Sequence, residues 1–114
     1  MDKVSKYKTI VEEIVWATGR LGEQDDDDPI KTSFIIDRER GHFLLYFTGW
    51  KGHRRTYGCY LHIDVTAAGK VWLHHDGTDL LIGDQLEEKG VLASDLVLAF
   101  MSPTRRKDTG YAVF

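Results

Sequence analysis

At 114 residues the chain has room for one hydrophobic core and not for two independent domains. Its 42% hydrophobic and 29% charged content, with only two prolines, excludes disordered, collagen-like and mucin-like chains. A formal charge of −3 argues against a dedicated nucleic-acid binder, which carries a positive field to displace counterions from phosphate. That charge is unevenly placed: Glu23 and Asp25 to Asp28 hold five negative charges, and removing five negatives from −3 leaves the remainder at +2. Cys59 is the single cysteine, which rules out an intrachain disulfide and a cysteine-based zinc site and fits a reducing compartment. No apolar run approaches the roughly 20 residues of a membrane span, and Met1-Asp2-Lys3 opens an amphipathic segment rather than a signal peptide. A cytoplasmic protein with no membrane attachment is expected.

From Val4 to Val15, the residues Val4, Tyr7, Ile10, Val11, Ile14 and Val15 recur at helical spacing, with lysines and glutamates between them. The spacing predicts an amphipathic helix that Asp2 caps and Gly19 ends. The segment 22–29 joins clustered like charge to Pro29 and reads as an exposed linker. A calcium loop is the alternative for four aspartates, but they lack the alternate-position spacing and the closing Glu of an EF-hand.

Beyond Ile30 the period changes. Short runs rich in Phe, Ile, Tyr, Val and Thr are separated by Arg38-Glu39-Arg40-Gly41, Lys51-Gly52 and Ala67-Ala68-Gly69, which predicts strands joined by hairpins. In the expected register Val65 pairs with Val71, Ile63 with Leu73, Leu44 with Cys59, Tyr46 with Tyr57 and Phe34 with Leu44. That arrangement puts Phe34, Ile36, Leu44, Tyr46, Cys59, Leu61, Ile63, Val65, Val71 and Leu73 on one face. The other face then carries Ile35, Phe43, Leu45, Phe47, Tyr60 and Trp72, too apolar to be left to water. After His74-His75-Asp76-Gly77, Thr78 or Asp79 is placed to cap a second helix with Leu80, Leu81, Ile82 and Leu86, ended by Gly90. The expected fold is α+β: an antiparallel hairpin meander of four to five strands, with both helices on one face.

Chemistry-bearing motifs are few. His62 and Asp64 on one strand and His74 and Asp76 on the next are expected cross-strand neighbours, able to hold a first-row metal or to act as acid and base. The alternative is a polar group on a half-covered sheet, its aspartates bonded to nearby turns. No G-x-S-x-G elbow, G-x-G-x-x-G or Walker segment is present, and Cys59 on the expected core face behaves as a small hydrophobe. No catalytic residue, metal site or cofactor is therefore assigned. Two basic clusters remain: Arg54 and Arg55 after Trp50, and Arg105, Arg106 and Lys107 before the apolar tail, each able to meet phosphate or an acidic partner.

Gly49-Trp50, Arg54-Arg55-Thr56-Tyr57-Gly58-Cys59, Leu61-His62-Ile63-Asp64, Gly69-Lys70-Val71-Trp72, Asp76-Gly77-Thr78-Asp79 and Thr109-Gly110-Tyr111-Ala112-Val113 together resemble the XisI family, the fdxN element excision controlling factors. The likeness runs over nearly the whole chain. It departs from the family at Met101-Ser102-Pro103, where relatives tend to have His-Pro-Pro, and at Tyr57, where they have histidine before Gly-Cys.

The resemblance implies a small α+β protein of cyanobacterial type, tied to programmed excision of a DNA element during heterocyst development. It implies control rather than catalysis, exercised through a partner such as an XisH-like companion. The alternative expectation is direct nucleic-acid binding by Arg54, Arg55, Arg105, Arg106 and Lys107. From the strand registers, a homodimer, or an interface that exchanges between a second copy and a partner, is expected to cover Ile35, Phe43, Leu45, Phe47, Tyr60 and Trp72.

Overall fold

The computed structural model describes residues 2–21 and 28–114. Of the segment 22–29, expected as an exposed linker, residues 22–27 lie outside the described residues. The first amphipathic stripe forms α1 (Lys3–Leu21), and Tyr7, Ile10, Val11, Ile14 and Val15 are buried as the spacing requires. Asp2 caps it, its carboxylate accepting the Ser5 N–H at 2.7 Å. Gly19 does not end the helix. It lies against Phe34 and Leu45, and a Cβ there would overlap the Phe34 ring, so the glycine lets the last turn of α1 sit close on the sheet. One turn earlier Trp16 stacks on the same Phe34 with ring centroids 4.5 Å apart.

The strands are β1 (Ile30–Asp37), β2 (His42–Lys51), β3 (Arg54–Val65), β4 (Val71–Asp76) and β5 (Leu96–Leu98), hydrogen-bonded in that order. The first four form the expected antiparallel meander. β5 runs parallel to β4, because the chain returns through α2 (Ile82–Lys89) and one 3-10 turn (Ala93–Asp95) before pairing Val71 with Leu96. A last short helix, α3 (Pro103–Arg106), precedes the tail, where the Ala112 N–H donates to the Leu96 carbonyl at 2.9 Å. The second helix starts later than Thr78 or Asp79 would set it. Leu81 first takes a left-handed conformation, φ 51°, and leaves Leu80 and itself exposed, while Ile82 and Leu86 face the core and Gly90 ends the helix at φ 118°.

The register Val65–Val71 and Ile63–Leu73 is as expected. β2 is in the opposite phase. Asp37 pairs with His42, and Lys51 pairs with Arg54, so both flanking turns are displaced by one residue. A bulge at Tyr60 then changes the phase within β3: Tyr46 pairs with Cys59 while Leu45 pairs with Leu61. As a result Phe43, Leu45, Leu61, Ile63, Val71 and Leu73 form the floor of the core, covered by α1 and α2, and Phe47 and Tyr60 stack at its margin with centroids 4.0 Å apart. The expected uncovered apolar face is therefore corrected. Phe43 and Leu45 have no exposed surface, and the chain's own first helix excludes water from them. Of the six residues assigned to a self or partner interface, Ile35 and Trp72 lie on the outer face and the other four belong to the core side.

Candidate functional site

The outer sheet face, opposite α1, collects the polar chemistry. Asp64 near the end of β3 is directly opposite His42 of β2, two residues beyond His62, and beside β4. A second bulge pairs His62 with His75 and Ile63 with Leu73, which leaves His74 unpaired and aimed at its neighbours. Three imidazoles converge on one carboxylate. His42 Nδ1 and His62 Nε2 both lie 2.9 Å from Asp64 Oδ1, and His74 Nε2 lies 3.0 Å from Oδ2. The His62 and His74 rings are 4.6 Å apart, and Trp72 continues the stack beyond His74.

An ionised carboxylate accepts only, so each ring nitrogen facing Asp64 carries a proton in this arrangement. Partial burial works to raise the Asp64 pKa, but the hydrogen bonds from His42 and His62 outweigh it and hold the carboxyl below its ordinary range. Half-exposed rings around an ionised acid can pass protons or bind a cation. The sequence placed His62, Asp64 and His74 together correctly. Asp76 is not with them: it accepts the N–H and hydroxyl of Thr78 at 2.9 and 2.6 Å and so bonds the adjacent turn. His42 was missed because β2 was read in the wrong phase.

The basic residues do not form one patch. Arg54 and Arg55 follow the β2–β3 turn and, as neighbours in a strand, point to opposite faces. Arg55 lies over the Trp50 ring at 5.6 Å and the Tyr57 ring at 5.4 Å, both rings largely exposed. Arg105 and Lys107 are exposed at α3. Arg106 is committed to the fold. Its guanidinium donates to the carbonyls of Met101, Ala99 and Val113 at 3.1, 3.2 and 3.4 Å and lies 5.3 Å from the Trp72 ring centre. Because Trp72, under Arg106, pairs with Asp64, nine positions along β3 from Arg55, the two clusters lie toward opposite ends of β3. Cys59, expected in the core, is half-buried on the outer face, and its thiol is pushed up in pKa by desolvation.

The fold and this face define a small α+β domain in which α1 and α2 cover one side of a five-stranded sheet and the histidine–aspartate group lies on the other. The chain belongs to the XisI family, described as XisI protein, which matches residues 1–113. Two solved structures from Anabaena variabilis ATCC 29413 are similar throughout. One, the fdxN element excision controlling factor XisI, is 29% identical with a TM-score of 0.87, covering 99% of this chain and 100% of its own. The other, a XisI-like protein, is 32% identical with a TM-score of 0.88, covering 97% of this chain and 99% of its own. No curated protein matches the chain in sequence. Among the described residues no helix is long and apolar enough to cross a membrane.

Proposed function

We propose that this chain is a non-enzymatic controlling factor for excision of a DNA element, and that it acts by binding a protein companion of the XisH-like type. The observation that carries the reading is its end-to-end likeness to the solved fdxN element excision controlling factor, at 29% identity and a TM-score of 0.87. The outer sheet face supports a binding role, since Ile35, Trp50 and Tyr57 remain 46%, 53% and 66% exposed on a sheet whose other side is already packed. Co-expression with the companion followed by size-exclusion chromatography tests the pairing. Co-elution in one peak across a salt series is expected, and separate elution at every ionic strength removes it.

Direct nucleic-acid contact is the second reading, favoured by the Trp50, Arg55 and Tyr57 group at the β2–β3 turn. An arginine between two exposed aromatic rings matches the stacking and cationic chemistry that holds single strands. A gel-shift series with element-end DNA at two ionic strengths separates the two readings: binding that weakens with salt and with Arg55→Ala supports contact, and no shift at low salt ends it.

A further inference from the structure

We propose that His42, His62 and Asp64 form a binding site for one divalent first-row transition ion of the zinc type, with His74 as a positioning residue. The donors come from two strands in fixed register: His42 Nδ1 and His62 Nε2 meet on the same carboxylate oxygen, each at 2.9 Å. Each pair of the three donor atoms is within 4.8 Å. Two donors each about 2.05 Å from an ion span about 2.9 Å at a right angle and about 3.3 Å at the tetrahedral angle. The two nitrogen–oxygen separations of 2.9 Å fit those spans, and the two nitrogens, within 4.8 Å of each other, share the ion once they stand about 3.3 Å apart. Imidazole and carboxylate are the donor pair that zinc and its neighbours prefer over magnesium or calcium, which take oxygen.

A structural role needs only donors for the carboxylate and does not call for imidazole. One carboxylate is satisfied by any hydroxyl or amide donors, which serine, threonine or asparagine supply, whereas three imidazoles on one acid add ring nitrogens that can also ligate a metal. On binding, His42 and His62 carry their protons on the other ring nitrogen, so each lone pair faces the ion and no proton need leave a neutral ring. His74 Nε2 holds the remaining oxygen, Asp64 Oδ2, at 3.0 Å, which is the contact that orients a ligating carboxylate. The site faces solvent, with side-chain exposures of 50% for His42 and 29% for His62, so an ion can enter without unfolding the sheet. This inference does not depend on the companion or on nucleic-acid binding.

The test is titration of the full chain with zinc chloride, read by calorimetry and by metal retained after gel filtration. One equivalent per chain is expected, with a higher melting temperature. His42→Ala, His62→Ala and Asp64→Asn should each lose the bound equivalent and the thermal shift while keeping the unliganded far-UV spectrum. His53→Ala and His75→Ala should keep both. His74→Ala should weaken binding about 10- to 100-fold at unchanged stoichiometry, and His74→Gln, whose amide still donates, should recover most of it. Wild-type protein that retains no zinc overturns the site. So does retention unaffected by His42→Ala and His62→Ala, or lost equally with His53→Ala.

Discussion

The Tyr7 hydroxyl donates to the Asp95 carboxylate at 2.6 Å, tying the start of α1 to the turn before β5 across 88 residues of sequence. The same oxygen accepts the Leu92 N–H at 3.2 Å, and Lys3 Nζ reaches Asp95 at 3.3 Å from the preceding turn of the helix. Asp95 is only 5% exposed, so its charge is held by these partners rather than by water. One phenol thereby closes the helix layer onto the parallel β4–β5 pair.

Tyr7→Phe removes that phenol and leaves the Leu92 N–H and one carboxylate oxygen without their partner. A loss of about 1–3 kcal/mol is expected in urea unfolding, with the m-value unchanged. Burial works to raise the Asp95 pKa, but the bonds from Tyr7 and Lys3 prevail and lower it. The associated stability is present above the unfolded carboxylate pKa of about 3.9 and is lost as pH falls through the lower folded value. The Tyr7 pKa is raised, by burial first and then by Asp95, so its own contribution is complete below about pH 10 and is lost as pH rises through the higher folded value. The wild-type advantage over Tyr7→Phe should therefore shrink at both extremes. A gap that stays constant from pH 2 to pH 11 would contradict this.

Gly19→Ala runs against helix propensity. In an exposed helix the change stabilises by about 1 kcal/mol. Here the new methyl meets the Phe34 ring, which is already stacked on Trp16, so overpacking of about 1–3 kcal/mol opposes the gain. A lower melting temperature is expected, and Gly19→Ala with Phe34→Leu should regain part of it by opening the space. A melting temperature raised by Gly19→Ala alone would disprove the close approach.

Much of this packing was legible in the sequence, and the part that was not has an identifiable cause. The α1 stripe and the Asp2 cap follow from local spacing, and the β3–β4 register follows from the short loop that Gly69 closes at φ 84°. Strict alternation failed on Cys59-Tyr60-Leu61, three consecutive residues with large apolar character, because the bulge turns Tyr60 and Leu61 to the same side. With Cys59 placed on the side of Leu61, its expected partner Leu44 and the next inward position, Tyr46, are carried to the core face and Phe43 and Leu45 to the other. The same slip hid His42, which joins His62 and Asp64 only when Phe43 faces the core.

Phe43→Asp distinguishes the two phases. On the face expected from alternation this substitution would only separate two copies. In the observed fold it puts a carboxylate at a position with no solvent exposure beneath α1, a cost of several kcal/mol with no partner. The variant should lose its far-UV signal and cooperative melt, while Ile35→Asp on the outer face should melt within about 0.5 kcal/mol of wild type. A folded, monomeric Phe43→Asp protein would reverse the assignment of β2.

Arg106 should act on the tail and not as a phosphate ligand. Its three carbonyl acceptors lie before α3 and in the tail, and its flat guanidinium covers Trp72, so one side chain fastens residues 107–114 beside β5. A second fastening is the Tyr111 hydroxyl on Glu87, which pushes the tyrosine up to about 12. Arg106→Ala is expected to speed backbone hydrogen exchange at Ala112, whose N–H bonds the Leu96 carbonyl, and to shift Trp72 fluorescence to the red. Arg106→Lys keeps the charge but not the planar fork, so it should loosen the tail nearly as much. Arg105→Ala and Lys107→Ala, at exposed positions, should leave both readouts unchanged. If Arg106→Lys behaves as wild type, charge alone holds the tail and the fork geometry is dispensable; if Arg106→Ala leaves Ala112 exchange unaltered, the strap does not exist.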